Sequence, residues 1–332
     1  MSATDPLPVA VDAMGGDHAP AAVVEGAAAA AAEGIPVLLV GRPDELGDTG
    51  DLPVLPASEV ISMSADPAKS VRTMKDSSLV RAAEACRDGI ASAMVSAGNT
   101  GATMGSALLR MGRIKGAQRP AIATPLPRPG QHQPTLMLDS GANAECLPEW
   151  LVQFAAMGAI YGRLRWGVDE PRVGLLSIGE EAGKGNPLVK AAYELLSDEA
   201  WQRAAGARFV GNVEGRDLLG DAADVVVTDG FTGNVALKTA EGTAKTIVKA
   251  LLEAFDSSDD ARAGAQLLMP ALLPLYATLD PESVGGAVLL GVRGVCIISH
   301  GSSSPAAITN AIRVAADAVR SDLVGQLGAA LA

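Results

Sequence analysis

The residues that could do chemistry in this chain gather in six short polar turns. They read DAMGGDH (Asp12 to His18), SAGNTG (Ser96 to Gly101), DSGAN (Asp139 to Asn143), IGEEAGKGN (Ile178 to Asn186), TDGFTGN (Thr228 to Asn234) and SHGSSS (Ser299 to Ser304). Glycine lets the backbone adopt positive φ and approach a ligand closely, and successive N–H groups ahead of a helix make a nest for an anion. One such turn is ordinary strand-to-helix chemistry. Six of them, accompanied by a lysine, a histidine and Asn99, Asn143, Asn186 and Asn234, predict a site for a small anion, phosphate first among them.

The near-miss at Gly179 to Gly185, GEEAGKG, separates two kinds of phosphate site. It has one residue too few between its glycines for a GxxxxGK[ST] loop, and Gly185 stands where that loop carries its magnesium-binding hydroxyl. It is no NTPase loop, yet Lys184 brings a positive charge into a glycine-lined turn, as a phosphate or a developing oxyanion requires. His300 and His18 each follow a strand end, where an imidazole can bind an anion or protonate a leaving group. His132 sits in a proline-rich loop and is expected to face solvent. Asp12, Asp17, Asp139 and Asp229 match no metal signature and read as groups that orient neighbouring donors. No GxGxxG follows the first strand, and HExxH, paired CxxC and GxSxG are absent. These absences disfavour nicotinamide, metalloprotease and serine-hydrolase chemistry.

The elements that must position these turns repeat one grammar of apolar run, polar turn and helix. Strands are predicted at Val9 to Val11, Val37 to Val40, Met94 to Val95, Thr135 to Leu138, Val173 to Ile178, Val225 to Val227 and Val295 to Ile298. Helices are predicted at Pro20 to Glu33, Ser77 to Asp88, Thr100 to Met111, Pro148 to Leu164, Pro187 to Ala204 and Pro305 to Leu323, several opened by proline at the first helical position. Continuous apolar strands alternating with helices imply a mainly parallel sheet covered on both faces, with all six turns converging on one edge. Leu126 to Pro134 (LPRPGQHQP) reads as a connection between two strands outside the parallel set. Residues 235–279 carry no strand signal and read as a helical hairpin with the acidic tip Asp256 to Asp260. Its apolar residues, Ile247, Leu251, Leu252, Leu267 and Leu268 among them, exceed what a lone hairpin buries and predict a symmetric dimer contact.

Bulk properties bound the remainder. With 332 residues, 48% hydrophobic and 19% charged, the chain can bury a large core, and it is read as one domain over 1–332. The net charge of -12 and an aromatic content of only 3% argue against nucleic acid as a partner. Cys86, Cys146 and Cys296 are too scattered for a disulfide framework, which fits a reducing compartment. The start of the chain lacks the basic and apolar regions of a signal peptide, and no stretch is apolar enough to span a bilayer. Arg110 to Arg119 (RMGRIKGAQR) holds Arg110, Arg113, Lys115 and Arg119 without an acid. It is either a solvated helix end or a docking patch for an acidic partner.

Taken together, VAVDAMGGDHAP (Val9 to Pro20), KDSS (Lys75 to Ser78), VSAGNTGA (Val95 to Ala102), DSGAN, GEEAGKGN, GNVEGRD (Gly211 to Asp217), VVTDGFTGN (Val226 to Asn234) and HGSS (His300 to Ser303) resemble the bacterial phosphate acyltransferases of the PlsX type. The resemblance covers nearly the whole chain. It implies a three-layer αβα sandwich like that of phosphotransacetylase and the isocitrate dehydrogenase group, and a homodimer. It implies a cytoplasmic enzyme that touches the inner face of the membrane peripherally. The reaction implied converts acyl-[acyl carrier protein] and inorganic phosphate into acyl phosphate without cofactor or metal. A membrane glycerol-3-phosphate acyltransferase then uses the product for phosphatidic acid. On this reading Lys184, His300 and Asn234 are catalytic. Asp12, Gly15, Gly16, Asp17, His18, Ser78, Asn99, Thr100, Asp139, Asn143, Asn186, Asp229, Thr232, Ser302 and Ser303 border phosphate and substrate, and the Arg110 to Arg119 patch receives the carrier protein. The hairpin tip, DSSDDAR (Asp256 to Arg262), departs from the family's apolar and basic tips and would be repelled by anionic lipid. Two other readings share the scaffold: phosphate-dependent transfer from acyl-CoA, and a noncatalytic phosphate- or nucleotide-sensing protein.

Overall fold

The computed structural model describes residues 6–131, 133–279 and 285–332, so His132 lies outside it. Eleven strands form one sheet: β1 (Val9–Asp12), β2 (Val37–Gly41), β3 (Val54–Pro56), β4 (Ala93–Ser96), β5 (Ala121–Leu126), β6 (Thr135–Leu138), β7 (Arg172–Leu176), β8 (Arg208–Val213), β9 (Val225–Val227), β10 (Ala287–Leu290) and β11 (Val295–Ile298). Their order is β3-β2-β1-β4-β11-β10-β5-β6-β9-β7-β8. The helices are α1 (Ala21–Ala32), α2 (Pro67–Thr73), α3 (Ser78–Arg87), α4 (Thr100–Ser106), α5 (Pro148–Trp166), α6 (Pro187–Leu196), α7 (Glu199–Ala205), α8 (Gly230–Phe255), α9 (Asp259–Leu279), α10 (Pro305–Arg320) and α11 (Leu323–Leu331). A π-helical stretch, Ala107–Met111, prolongs α4.

Side chains of a strand alternate between faces, and here each face meets its own helices. Val9 and Val11 share a buried cluster with residues of α1, α5, α6, α10 and α11, whereas Ala10 and Met94 pack with α3 and α4. Farther along the second face, Met137, Leu176 and Val226 meet Ala236 and Leu237 of α8. The result is the expected αβα sandwich. The alanine run is a closely packed helix, since α1 and α10 approach until a Cβ on Gly26 would lie 2.5 Å from the Pro305 carbonyl oxygen. Ser or Asp side chains cap α2, α3, α7, α8 and α10, and Asn side chains cap α4 and α6.

Two expectations need correction. The strands on either side of the Leu126 to Pro134 connection, β5 and β6, pair with each other antiparallel and sit inside the single sheet. The six turns do not share an edge either. β1, β4 and β11 run parallel to one another, β10 opposes both β11 and β5, and β6 opposes β5. Consequently β6, β9 and β7 run opposite to β1, β4 and β11. DAMGGDH, SAGNTG and SHGSSS therefore leave one edge, and DSGAN, TDGFTGN and IGEEAGKGN leave the other.

The helical hairpin is present as α8 and α9, with α8 starting at Gly230. Much of its apolar surface faces outward: Ile247 is 55% and Leu267 83% exposed, and Leu251, Leu268 and Leu273 are exposed as well. No helix among the described residues is long and apolar enough to cross a membrane.

Candidate active site

At the first edge, Asp12 ends β1 and organises the turns around it. Its carboxylate accepts Ser96 Oγ at 2.7 Å and the Met14 N–H at 3.3 Å, and Ser78 and the Gly15 N–H also bond it. Burial pushes the Asp12 carboxyl up, against the pull of these donors. Gly15 is required here, because a Cβ would stand 2.4 Å from Asp12 Oδ2 and 2.8 Å from the Gly98 nitrogen. The Asp17 N–H donates to the Gly301 carbonyl at 2.7 Å, tying DAMGGDH to SHGSSS, and Gly16 packs on the same carbonyl. Ser303 Oγ pairs with Ser299 Oγ at 2.8 Å and donates to the His300 carbonyl at 2.6 Å.

At the second edge, Asp139 does the same work. Its two oxygens accept the N–H groups of Ile122, Gly141, Ala142 and Asn143 and the Asn143 side chain, at 2.7 to 3.2 Å. Burial raises its pKa despite these bonds. The start of α8 is pressed onto this turn. The Gly230 N–H donates to the Asn143 carbonyl at 2.7 Å, and a Cβ on Gly233 would come within 1.9 Å of the Asp139 carbonyl oxygen.

Several assigned residues also brace the turns in which they sit. Asn99 caps α4 through Oδ1 and donates through Nδ2 to the Met63 and Ala65 carbonyls. Asn143 donates to the Pro120 carbonyl and to Asp139, and Asn186 caps α6. Asp229 accepts the N–H and hydroxyl of Thr232, both at 2.8 Å. Ser78 is buried on Asp12, and Ser303 is buried beneath His300. Each of these side chains thus has at least one partner within the fold, and Asn143 also lines a chamber described below. Asp17, His18 and Ser302 remain exposed on the first edge, and Lys184 is exposed on the second.

Three assigned residues do come together, and they come from both edges. Thr100, Asn234 and His300 line a cavity of about 530 Å³ between α8 and the face of β5 and β10. Ser140 and Ser299 join them, while Ile122, Leu126, Leu237, Val248 and Leu252 give the cavity apolar walls. A polar cluster thus borders a long apolar trough, and α8 runs beside it from Asn234 to Leu252, about 27 Å of helix. His300 Nε2 lies 3.6 Å from Glu241 Oε1, and Glu241 Oε2 accepts Lys238 Nζ at 2.9 Å. Lys245 and Lys249 line the trough too. Sequence reasoning missed this stripe. Charges spaced three and four apart read as a solvated helix face, and only the cavity reveals a second role.

The basic segment is divided. Arg110 is half-buried, 3.6 Å from Glu84 Oε1, and donates to the Val71 carbonyl at 3.3 Å, so it is no free docking charge. Lys115 is exposed. Arg113 and Arg119 line a separate chamber of about 670 Å³ with Met104, Leu108, Cys146 and Trp150. The Arg119 guanidinium lies 4.6 Å from the Trp150 ring centre. Burial, with the Asp139 charge nearby, pushes the Cys146 thiol up to about 12, so it is not a thiolate nucleophile near neutral pH.

A family model described as "Fatty acid synthesis protein" matches residues 7–326. The chain is 49% identical over 331 residues to a phosphate acyltransferase of Elusimicrobium minutum, covering 96% of this chain and 94% of that one. It is 47% identical over 329 residues to one from Heliobacterium modesticaldum, covering 96% of both. Among solved structures, the EutD phosphotransacetylase from Staphylococcus aureus is similar with a TM-score of 0.61 at 14% identity, over 95% of this chain and 94% of that one. A phosphotransacetylase from Streptococcus pyogenes is similar to the same degree, at 16% identity and the same coverage. At those identities the structural likeness speaks for fold alone. The sequence matches say more, because they span all six turns and the cavity between them: this chain is an acyltransferase and belongs to the phosphate acyltransferase family.

Proposed function

We propose that the chain transfers a fatty acyl group from acyl-[acyl carrier protein] to inorganic phosphate, supplying acyl phosphate to a membrane glycerol-3-phosphate acyltransferase for phosphatidic acid synthesis. The observation that carries this reading is the trough itself, an apolar channel ending at Thr100, Asn234 and His300. An acyl chain lies along α8 with its thioester carbonyl at the polar end. A phosphate oxygen attacks the carbonyl carbon, and the carbonyl oxygen becomes an oxyanion that Asn234 and the neighbouring hydroxyls stabilise. Collapse breaks the carbon–sulfur bond and releases acyl phosphate, and His300 passes to the leaving thiolate the proton that phosphate gives up in the attack. Binding and orientation supply most of the acceleration. Lys184 provides countercharge to phosphate from its exposed loop. The enzyme works in the cytoplasm as a dimer formed through the α8–α9 hairpin, with weak peripheral membrane contact.

The test is acyl phosphate formation trapped with hydroxylamine, comparing carrier-protein and CoA thioesters. Asn234→Ala and His300→Ala should each lower kcat by about 10²- to 10³-fold. Normal turnover by Lys184→Ala removes Lys184 from the mechanism. Preference for the CoA thioester replaces the carrier protein as donor.

A further inference from the structure

The trough and the arginine-lined chamber are neighbours built from the same three segments. Thr100, Ile122 and Ser140 face the trough, whereas Met104, Pro120 and Ala142 face the chamber. Met104 lies one helical turn from Thr100, and Pro120 and Ala142 each lie two residues from their counterparts, so the two spaces adjoin across a neck formed by α4, β5 and the Asp139 turn. The chamber's floor is apolar, with Met104, Leu108 and Trp150, and two cations stand in its wall. Glu145 is the single acid there. Arg119 is held against Trp150, and Arg113 is anchored by a bond to the Gln118 carbonyl.

We propose that this second chamber holds the thiol arm of the donor, a phosphopantetheine, with its phosphate between Arg113 and Arg119 and its sulfur at the neck. The inference rests on the proposed acyl transfer. A thioester has two sides, and the apolar trough accommodates only one. The other side is a slender, partly polar arm ending in a phosphate group, which suits a space with an apolar floor and a pair of guanidinium groups. The stretch from Thr100 to Leu108 gives about 12 Å of helix beside the arm. The arm is common to carrier proteins and coenzyme A, and the two donors differ beyond its phosphate.

Arg113→Met and Arg119→Met should each raise the KM for the thioester at least tenfold, with kcat and the KM for phosphate within twofold of the parent. The rise should be equal for short and long acyl chains, because the arm is the same in both, and equal for carrier-protein and CoA donors. Arg119→Lys, which keeps the charge but loses the stacked plane, should lie between, and thermal melts establish that each variant is folded. Free 4′-phosphopantetheine should bind the parent protein in calorimetry and bind the double variant at least tenfold more weakly. A raised KM for phosphate, an effect that varies with chain length, an effect confined to the carrier-protein donor, or unaltered phosphopantetheine binding overturns the assignment. Absence of acyl phosphate with the parent protein refutes the parent reading instead, and the calorimetry still decides whether the chamber takes the arm.

Discussion

Gly233 places the start of α8 on the Asp139 turn, and replacing it by alanine sets two effects of known size against each other. Alanine is the better helix former by about 1 kcal/mol in a helix interior. Its Cβ, however, would sit 1.9 Å from the Asp139 carbonyl oxygen, where a separation below 3.0 Å is essentially never seen. The neighbour is backbone, so the strain is relieved only by moving the helix or the turn by roughly 1 Å, at an overpacking cost of about 1–3 kcal/mol. Sterics win modestly on stability. They win decisively on activity, because Ser140 and Asn234, the residues that follow Asp139 and Gly233, both line the cavity, and a 1 Å misplacement costs about 10²-fold.

Gly242 is the matched control. It lies on the same helix, and a Cβ there meets nothing within 4 Å. Gly242→Ala should therefore gain up to about 1 kcal/mol, raise the Tm by about 2 °C and leave turnover unchanged. Gly233→Ala should lower the Tm slightly and reduce trapped acyl phosphate about 100-fold. If Gly233→Ala instead keeps turnover within twofold and raises the Tm as Gly242→Ala does, the seating of α8 on the Asp139 turn plays no part in catalysis.

Arg128, 4% exposed, bonds the Gly220 and Ala223 carbonyls and the carboxylates of Asp221 and Asp224, pinning the β5–β6 connection to the approach to β9. Arg128→Met should cost about 3 kcal/mol in urea unfolding, the low end for a broken buried pair because Arg172 still pairs with Asp224. The same cluster sets an acid limb. Burial pushes the Asp224 carboxyl up, but Arg172 and Arg128 outweigh it and hold it below the ordinary 3.8, and Arg172 lowers Asp221 likewise. A carboxylate with a depressed folded pKa contributes stability that is present above the ordinary value and lost as pH falls through the folded one. Parent stability should thus decline below about pH 4, and Asp224→Asn should flatten that decline in urea titrations. On the exposed hairpin, Leu251→Glu with Leu268→Glu should shift sedimentation from dimer to monomer; an unchanged sedimentation coefficient places the dimer contact elsewhere.

The sandwich was legible because buried strands announce themselves as apolar runs followed by Gly, Asn and Asp. Strand direction was not. β10 (AVLL) is joined to β11 by a short hairpin, outside the strand–turn–helix grammar, and β5 (AIATPL) carries Pro125, which reads against a central strand. Missing β10, and setting β5 apart from the main sheet, hides the three reversals between β11 and β6, and with them the fact that the turns divide between two edges. The asparagines are ambiguous for a different reason. Asn is among the best helix caps and also a good anion ligand, and both uses place it at the end of a strand before a helix. Asn99 and Asn186 are caps, Asn143 braces the Asp139 turn and lines the second chamber, and Asn234 lines the trough. The second chamber could not be read from sequence, since Arg113, Arg119 and Trp150 meet only through the fold.

A protein of net charge -12 that uses a phosphate anion must keep its own carboxylates from repelling it. Asp12 and Asp139 address this in the same way on opposite edges. Each ends a strand, each is buried, and each turns its oxygens toward the N–H groups of the turn that follows rather than toward the cavity. The arrangement raises both pKa values through burial, while hydrogen bonds from hydroxyl, amide and backbone donors offset the desolvation. In return, each turn is fixed from the inside by its own acid. Asp12 and Asp139 thus serve the site by holding the turns that bring Thr100, Asn234 and His300 to one cavity.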